Sequence, residues 1–128
     1  MKIILDTNFL LIPAQFKVDI FTEINRIMEQ KYEICIVDKT LDELEDIIQK
    51  QKGKNKAAAL LAKKLVKNKN ICILKTDKLK NVDQILLEKA NKSTFFAGTQ
   101  DMMLKRRLKN KGIKIITLRQ KKHLIIEG

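Results

Sequence analysis

Short apolar runs alternate along the chain with longer stretches whose apolar residues recur at helical spacing. Ile3-Ile4-Leu5 has no polar interruption, the pattern of a strand buried on both faces. Glu33 to Val37, Ile71 to Leu74, Thr94 to Ala97 and Ile113 to Leu118 read as four further strands. From Val18 to Gln30, Ile20, Phe21, Ile24, Ile27 and Met28 share one helical face, with Glu23, Arg26 and Glu29 opposite. A helix from Thr40 to Lys50 turns Leu41, Leu44, Ile47 and Ile48 inward. Asn55 is placed to cap a helix from Lys56 to Asn68, and Asn81 one from Val82 to Asn91. Gly98-Thr99 leads into a last helix ending near Asn110, with Gly112 in the C′ position. Phe9 to Phe16, holding the only proline, and Lys75 to Lys80 read as connections. Gln51 to Lys56 reads as a basic loop around Gly53, and Lys121 to Glu127 as a tail suited to an edge strand.

Strands alternating with helices imply right-handed crossovers and a mostly parallel sheet covered on both faces. The expected fold is a three-layer α/β/α sandwich around five strands, with residues 1–128 as a single domain. A chain of this length hides about two-thirds of its unfolded surface and needs no staple. No apolar run approaches the ~20 residues that span a bilayer. The first strand begins at Lys2, which leaves no room for a signal peptide, so a cytoplasmic location is expected.

Cys35 and Cys72 each lie inside an apolar run and read as small core residues. A four-ligand zinc site is not expected, because His123 is the only histidine. A disulfide is expected only in an unusual redox setting such as a hyperthermophile.

Charge changes the picture more than composition does. The net charge is +12, carried by 23 lysines and four arginines. Residues 1–49 hold five basic and ten acidic side chains, whereas residues 50–80 hold eleven lysines against Asp77 alone. Residues 105–122 hold nine basic residues and no acidic one. Two basic segments beside an acidic one point to a polyanionic partner, nucleic acid first. Lysine richness also arises from heat adaptation, so charge alone does not decide.

Four carboxylates lie where chemistry gathers in an open α/β sheet, at the carboxyl ends of strands. Asp6 follows the first strand, Glu43 lies one turn into the helix after the second, and Asp83 and Asp101 open the helices after the third and fourth. Singly, most have ordinary explanations. Thr40-Leu41-Asp42-Glu43 fits a capping box, and Asp83 and Asp101 suit the positive end of a helix. Together they would repel one another, and a hard divalent cation would relieve the repulsion. Such an ion activates water and neutralises charge on a phosphodiester. An acidic centre beside basic segments is the arrangement of a metal-dependent nuclease.

Asp6-Thr7-Asn8, Glu43 within Leu41-Asp42-Glu43-Leu44, Val82-Asp83 and Thr99-Gln100-Asp101 resemble the four acidic motifs of PIN-domain ribonucleases. Asp6 to Phe21 and Lys105 to Leu108 look most like the archaeal relatives of the small-subunit processome PIN nuclease. The resemblance implies strand order 3-2-1-4-5 and endonucleolytic cleavage of single-stranded RNA with Mg²⁺ or Mn²⁺. It implies that Asp6, Asp83 and Asp101 bind metal, that Glu43 orients metal-bound water or helps bind the ion, and that Asn8 and Thr99 support the carboxylates. Precursor ribosomal RNA is the implied substrate, and a homodimer is expected by analogy. Gln100 stands where the family often has Asn, and Gln84 where relatives often have an acid, which implies looser support of Asp101 and one tightly held ion. Lys52, Lys54, Lys56, Lys105, Arg106, Arg107 and Lys109 are the expected RNA contacts. Two other readings stay open: an RNA-binding ribosome-assembly factor that cuts poorly, and a toxin of the VapC kind. A phospho-acceptor role for Asp6 is disfavoured, because Asn8 stands where that chemistry needs a second aspartate.

Overall fold

The computed structural model describes residues 1–77 and 79–128. Lys78, in the expected connection from Lys75 to Lys80, lies outside the described residues. The elements in chain order are β1 (Lys2–Leu5), a 3-10 helix (Asn8–Leu11), α1 (Ile12–Phe16), α2 (Ile20–Ile27), β2 (Glu33–Val37), α3 (Asp38–Lys50) and α4 (Lys54–Asn68). They continue with β3 (Cys72–Leu74), α5 (Val82–Ala90), β4 (Phe96–Gly98), α6 (Met102–Asn110), β5 (Lys114–Arg119) and β6 (His123–Glu127). One six-stranded sheet has the order β3-β2-β1-β4-β5-β6. The first five strands run parallel, in the order the resemblance implies, and β6 adds an antiparallel edge from the tail.

The unbroken apolar run in β1 follows from its central place. Ile3 and Leu5 pack on one side with α1 to α4, and Ile4 packs on the other with α5 and α6. All three are almost wholly buried. The chain winds outward from β1 in both directions, so strand order reverses between β1 and β4. Connections leaving the carboxyl ends of those two strands diverge there and leave a crevice.

Several local expectations shift. Phe9 to Phe16 is helical instead of a plain connection, with Pro13 in the first turn of α1, where its missing N–H is not needed. The helix expected from Thr40 starts at Asp38, and Val37 occupies the cap position. Thr40 is therefore inside the helix, and the capping box with Glu43 does not form. A capping box forms instead at Asn81 and Gln84, at the start of α5. Asn55 is inside α4, whose cap is Gly53 at φ 65°. Glu23 and Arg26, expected on a solvent face, receive β6: Glu23 Oε1 accepts from the Leu124 N–H at 2.9 Å, and Arg26 donates to the Leu124 carbonyl at 3.0 Å. Among the described residues no helix is long and apolar enough to cross a membrane.

Gly98, the last residue of β4, is where β1 and β4 approach most tightly. A Cβ there would lie 2.5 Å from Leu5 Cδ2 and 3.3 Å from Phe9 Cδ1, both in fully buried side chains. Adding that carbon forces a packed core to move. Gly98→Ala is expected to cost about 1–3 kcal/mol of stability, read as a lower urea midpoint with an unchanged slope.

Candidate active site

Asp6 is the first residue past β1, and its N–H continues the ladder to the Gly98 carbonyl at 2.9 Å. Its side chain is only 4% exposed, so its oxygens need donors from the protein. The Phe9 N–H, at the start of the 3-10 helix, donates to Oδ1 at 2.7 Å. The Thr99 hydroxyl, just past β4, donates to Oδ2. That same hydroxyl oxygen accepts the Asp101 N–H at 3.1 Å. One threonine thus joins the two carboxylate-bearing segments across the crevice. Asp101 caps α6, with Oδ1 accepting from the Leu104 N–H at 2.9 Å.

Glu43, released from the expected capping box, turns toward β1. Its Oε1 accepts the Thr7 hydroxyl at 2.5 Å, and its Oε2 lies 3.5 Å from the Val82 N–H. Asp83 follows Val82 at the start of α5. The four carboxylates predicted from sequence therefore meet at one sheet edge. Asp6, Glu43 and Asp83 line a cavity of about 250 Å³, with Asn8 and Asp46 also on its wall. Asp101 stands close enough for its charge to act on both Asp6 and Asp83.

The electrostatics record the crowding. Burial pushes the Asp6 carboxyl up to about 6, against the opposing hydrogen bonds from Thr99 and Phe9, and the charges of Asp83 and Asp101 push the same way. Burial also raises Asp83, with Asp101 and Glu43 adding repulsion and Arg107 opposing them. Carboxylates that resist ionisation together, with oxygen the only metal-ligating atom among the described residues of the cavity wall, fit a hard divalent cation such as Mg²⁺ or Mn²⁺ better than zinc.

The supporting residues differ in part from expectation. Thr99 supports Asp6 and Asp101, but the hydrogen bond that holds Glu43 comes from Thr7; Asn8 contributes cavity wall. Gln100 does not loosen Asp101. Its Oε1 accepts from the Thr117 hydroxyl and the Leu118 N–H, both at 2.6 Å, which anchors the loop to β5. Gln84 is held in the cap of α5. Asp46 was missed, although it lies three residues after Glu43 and so on the same helical face. Among the basic residues, Lys52, Lys54 and Lys56 are exposed around the start of α4, and Arg106 and Arg107 are exposed on α6. Lys105 is half-buried beside Glu127, and Lys109 forms an ion pair with Glu127 at 3.0 Å, which engages it within the fold.

The raised Asp6 has a consequence for metal-free protein. Its carboxyl binds a proton more tightly when folded than when unfolded, so folding favours the protonated form. Stability from this group is therefore lost as pH rises from about 4 to about 6. The loss amounts to about 2–3 kcal/mol, at 1.36 kcal/mol per pKa unit. In EDTA, Asp6→Asn is expected to be more stable than the parent at pH 7, with the two converging near pH 4. Urea denaturation at both pH values checks this, and an equal gap at pH 4 and 7 would contradict the buried-charge account.

Comparison with known proteins bears on the family and the fold. Residues 3–121 match the family described as "PIN like domain". The chain is 34% identical over 131 residues to "Ribonuclease VapC4" of Methanocaldococcus jannaschii, an alignment covering 99% of this chain and 97% of that protein. Among solved structures it is similar to one described as "Structure of the PIN domain endonuclease Utp24", with a TM-score of 0.80, 24% identity, and 98% and 90% of the two chains covered. That last likeness concerns the fold. With the family match running nearly the whole length and the sheet in the expected order, the chain belongs to the PIN-like domain family.

Proposed function

We propose that this protein is a metal-dependent endoribonuclease that cleaves single-stranded RNA. The observation that carries the reading is the meeting of Asp6, Glu43, Asp83 and Asp101 from four connections at one sheet edge, with Asp6 buried and reluctant to ionise. Asp6, Asp83 and Asp101 would hold a Mg²⁺ or Mn²⁺ ion, with Glu43 beside them. When bound, the ion supplies an activated water and offsets charge that builds on the phosphoryl oxygens. The protein's part is positional. Thr99 fixes Asp6 and Asp101 relative to one another, Thr7 fixes Glu43, and Gln100 holds the loop that carries Asp101. Glu43, half-buried at the cavity wall, would orient the ion's water or help bind the ion. The surplus of lysine and arginine collects the RNA backbone by releasing its counterions.

The setting has two readings. Processing of precursor ribosomal RNA in the cytoplasm is the one the motif resemblance supports. Identity of 34% to a relative named Ribonuclease VapC4 supports the other, a toxin ribonuclease. Induced expression separates them, since a toxin arrests growth at low dose and a processing enzyme does not. A third reading, an assembly factor that binds RNA and cuts poorly, is separated by the cleavage assay itself.

Mixing the protein with single-stranded RNA and Mn²⁺ is expected to give internal cleavage that EDTA abolishes. Asp6→Asn combined with Asp101→Asn should lower the rate by about 10²-fold or more, several kcal/mol of lost charge stabilisation. Intact RNA with the parent protein, or undiminished cutting by the double variant, would end the nuclease reading. RNA retention in EDTA without cleavage under any metal would favour the assembly factor.

Binding to RNA tests the basic face separately. Arg106→Glu with Arg107→Glu should weaken binding in EDTA and flatten its salt dependence, by about 0.7 in log–log slope for each phosphate no longer neutralised. Lys109→Gln should leave the slope unchanged, because Lys109 is already engaged by Glu127. Equal slopes for the parent and the double variant would remove α6 from the RNA track.

A further inference from the structure

Cys35 and Cys72 read along the chain as separate core residues, and the parallel register of β2 and β3 brings them together. Cys35 is paired directly with Cys72 across the two strands. Glu33, two residues before Cys35, projects to the same face of the same strand. The two sulfurs and a Glu33 carboxylate oxygen all lie within 4.8 Å of one another. Around a tetrahedral zinc ion, with sulfur at about 2.3 Å and carboxylate oxygen at about 2.0–2.2 Å, ligand atoms lie about 3.6–3.8 Å apart. Binding an ion would therefore draw the three side chains together by no more than about 1 Å.

We propose that Glu33, Cys35 and Cys72 form a second metal site for a soft divalent cation of the Zn²⁺ kind, separate from the carboxylate site. Two sulfurs exclude Mg²⁺ and Mn²⁺ as preferred occupants, and the carboxylate oxygen favours Zn²⁺ over Cu⁺. A disulfide would use the two sulfurs but gives the converging carboxylate no role. Charge also balances. Zn²⁺ takes the place of two thiol protons, which pass to solvent, and two thiolates with one carboxylate leave the centre at −1. The Lys2 ammonium, 3.1 Å from Glu33 Oε1, supplies the matching positive charge.

Access and purpose follow from the position. A cavity of about 490 Å³ at the amino end of the sheet is walled in part by Lys2, Ile4, Glu33 and Leu74, strand neighbours of the cysteines. Of the three proposed ligands, Glu33 lines that cavity and would face an ion entering from it. Cys35 is buried in β2, whereas Cys72 belongs to β3, the three-residue edge strand, and is only partly covered. Metal binding would tie that short edge strand to its neighbour β2 through side chains as well as backbone.

The test uses the full-length protein, reduced and stripped with EDTA, titrated with Co²⁺ as a visible substitute for Zn²⁺. One equivalent is expected to give a thiolate-to-cobalt charge-transfer band that Zn²⁺ bleaches, and Zn²⁺ should raise the thermal midpoint. The band should vanish in Cys72→Ser and persist in Asp6→Asn with Asp101→Asn, which keeps the two sites distinct. Glu33→Gln, at an exposed position, should weaken Co²⁺ binding by at least about tenfold, a loss seen even for residues that only support a ligand. It serves as the deciding variant if Cys72→Ser does not fold. Absence of the band in the parent, its survival in Cys72→Ser, unchanged affinity in Glu33→Gln, or thiol counting that shows a disulfide formed instead of metal uptake would each overturn the proposal.

Discussion

Burying an ionised carboxylate is costly unless donors or a cation compensate, and Asp6 is a carboxylate buried at the centre of the sheet. The protein supplies two donors, one from the segment that follows β1 and one from the segment that follows β4. Those donors do not suffice to keep the group in its ordinary range, because burial and two neighbouring aspartates outweigh them. Much of the surrounding structure answers to this imbalance. Gly98 is bare so that Leu5 and Phe9 can close over the place where Asp6 leaves the sheet. Thr99 uses its hydroxyl twice, as donor to Asp6 and acceptor from Asp101. Gln100 fastens the next residue to β5, so the loop is held from both sides.

The second strand's connection shows how a local preference yields to this arrangement. Thr40 to Glu43 has the spacing of a capping box, and in an isolated peptide it would have served as one. Here the Asp38 carboxylate receives both the N–H and the hydroxyl of Thr76, from the segment after β3. That places Asp38 inside the helix, starts α3 two residues early, and buries Thr40 completely. Among the described residues the Thr40 hydroxyl has no hydrogen-bond partner. The compensating gain is at Glu43, whose carboxylate is freed to meet Thr7 and to face the cavity. A helix start that looks suboptimal locally is what delivers an acid to the site.

The site was largely legible because its residues are fixed by where strands end. An apolar triplet followed by an aspartate marks a strand and its exit, whatever the distant contacts are. Asp83 and Asp101 likewise sit where helices must begin. What could not be read depends on register and on return paths. Cys35 meets Cys72 only once β2 and β3 have chosen a register, which neither run encodes alone. Lys109 is engaged because the tail folds back as β6 and brings Glu127 alongside, a pairing 18 residues away. Asp46 is a different case, since its spacing from Glu43 was visible and simply did not distinguish it from a solvated charge.

Charge placement couples the two ligands that the carboxylate site is proposed to take. Phosphate next to Asp6, Asp83 and Asp101 is repelled at short range in a partly desolvated crevice, where Coulomb forces are several times stronger than in water. Among the described residues, the basic side chain whose charge acts on Asp83 there is Arg107, and it opposes a repulsion that Asp101 and Glu43 reinforce. A single guanidinium cannot offset four carboxylates and an incoming phosphodiester. A divalent ion can, because it attracts both, so RNA at the cavity and metal in it must strengthen one another's binding by the same factor. Basic residues further out, Arg106 and the lysines around Gly53, act over longer distances that salt screens. On the proposed function, the outer charges would govern encounter, and only the ion would let the backbone settle against the acids.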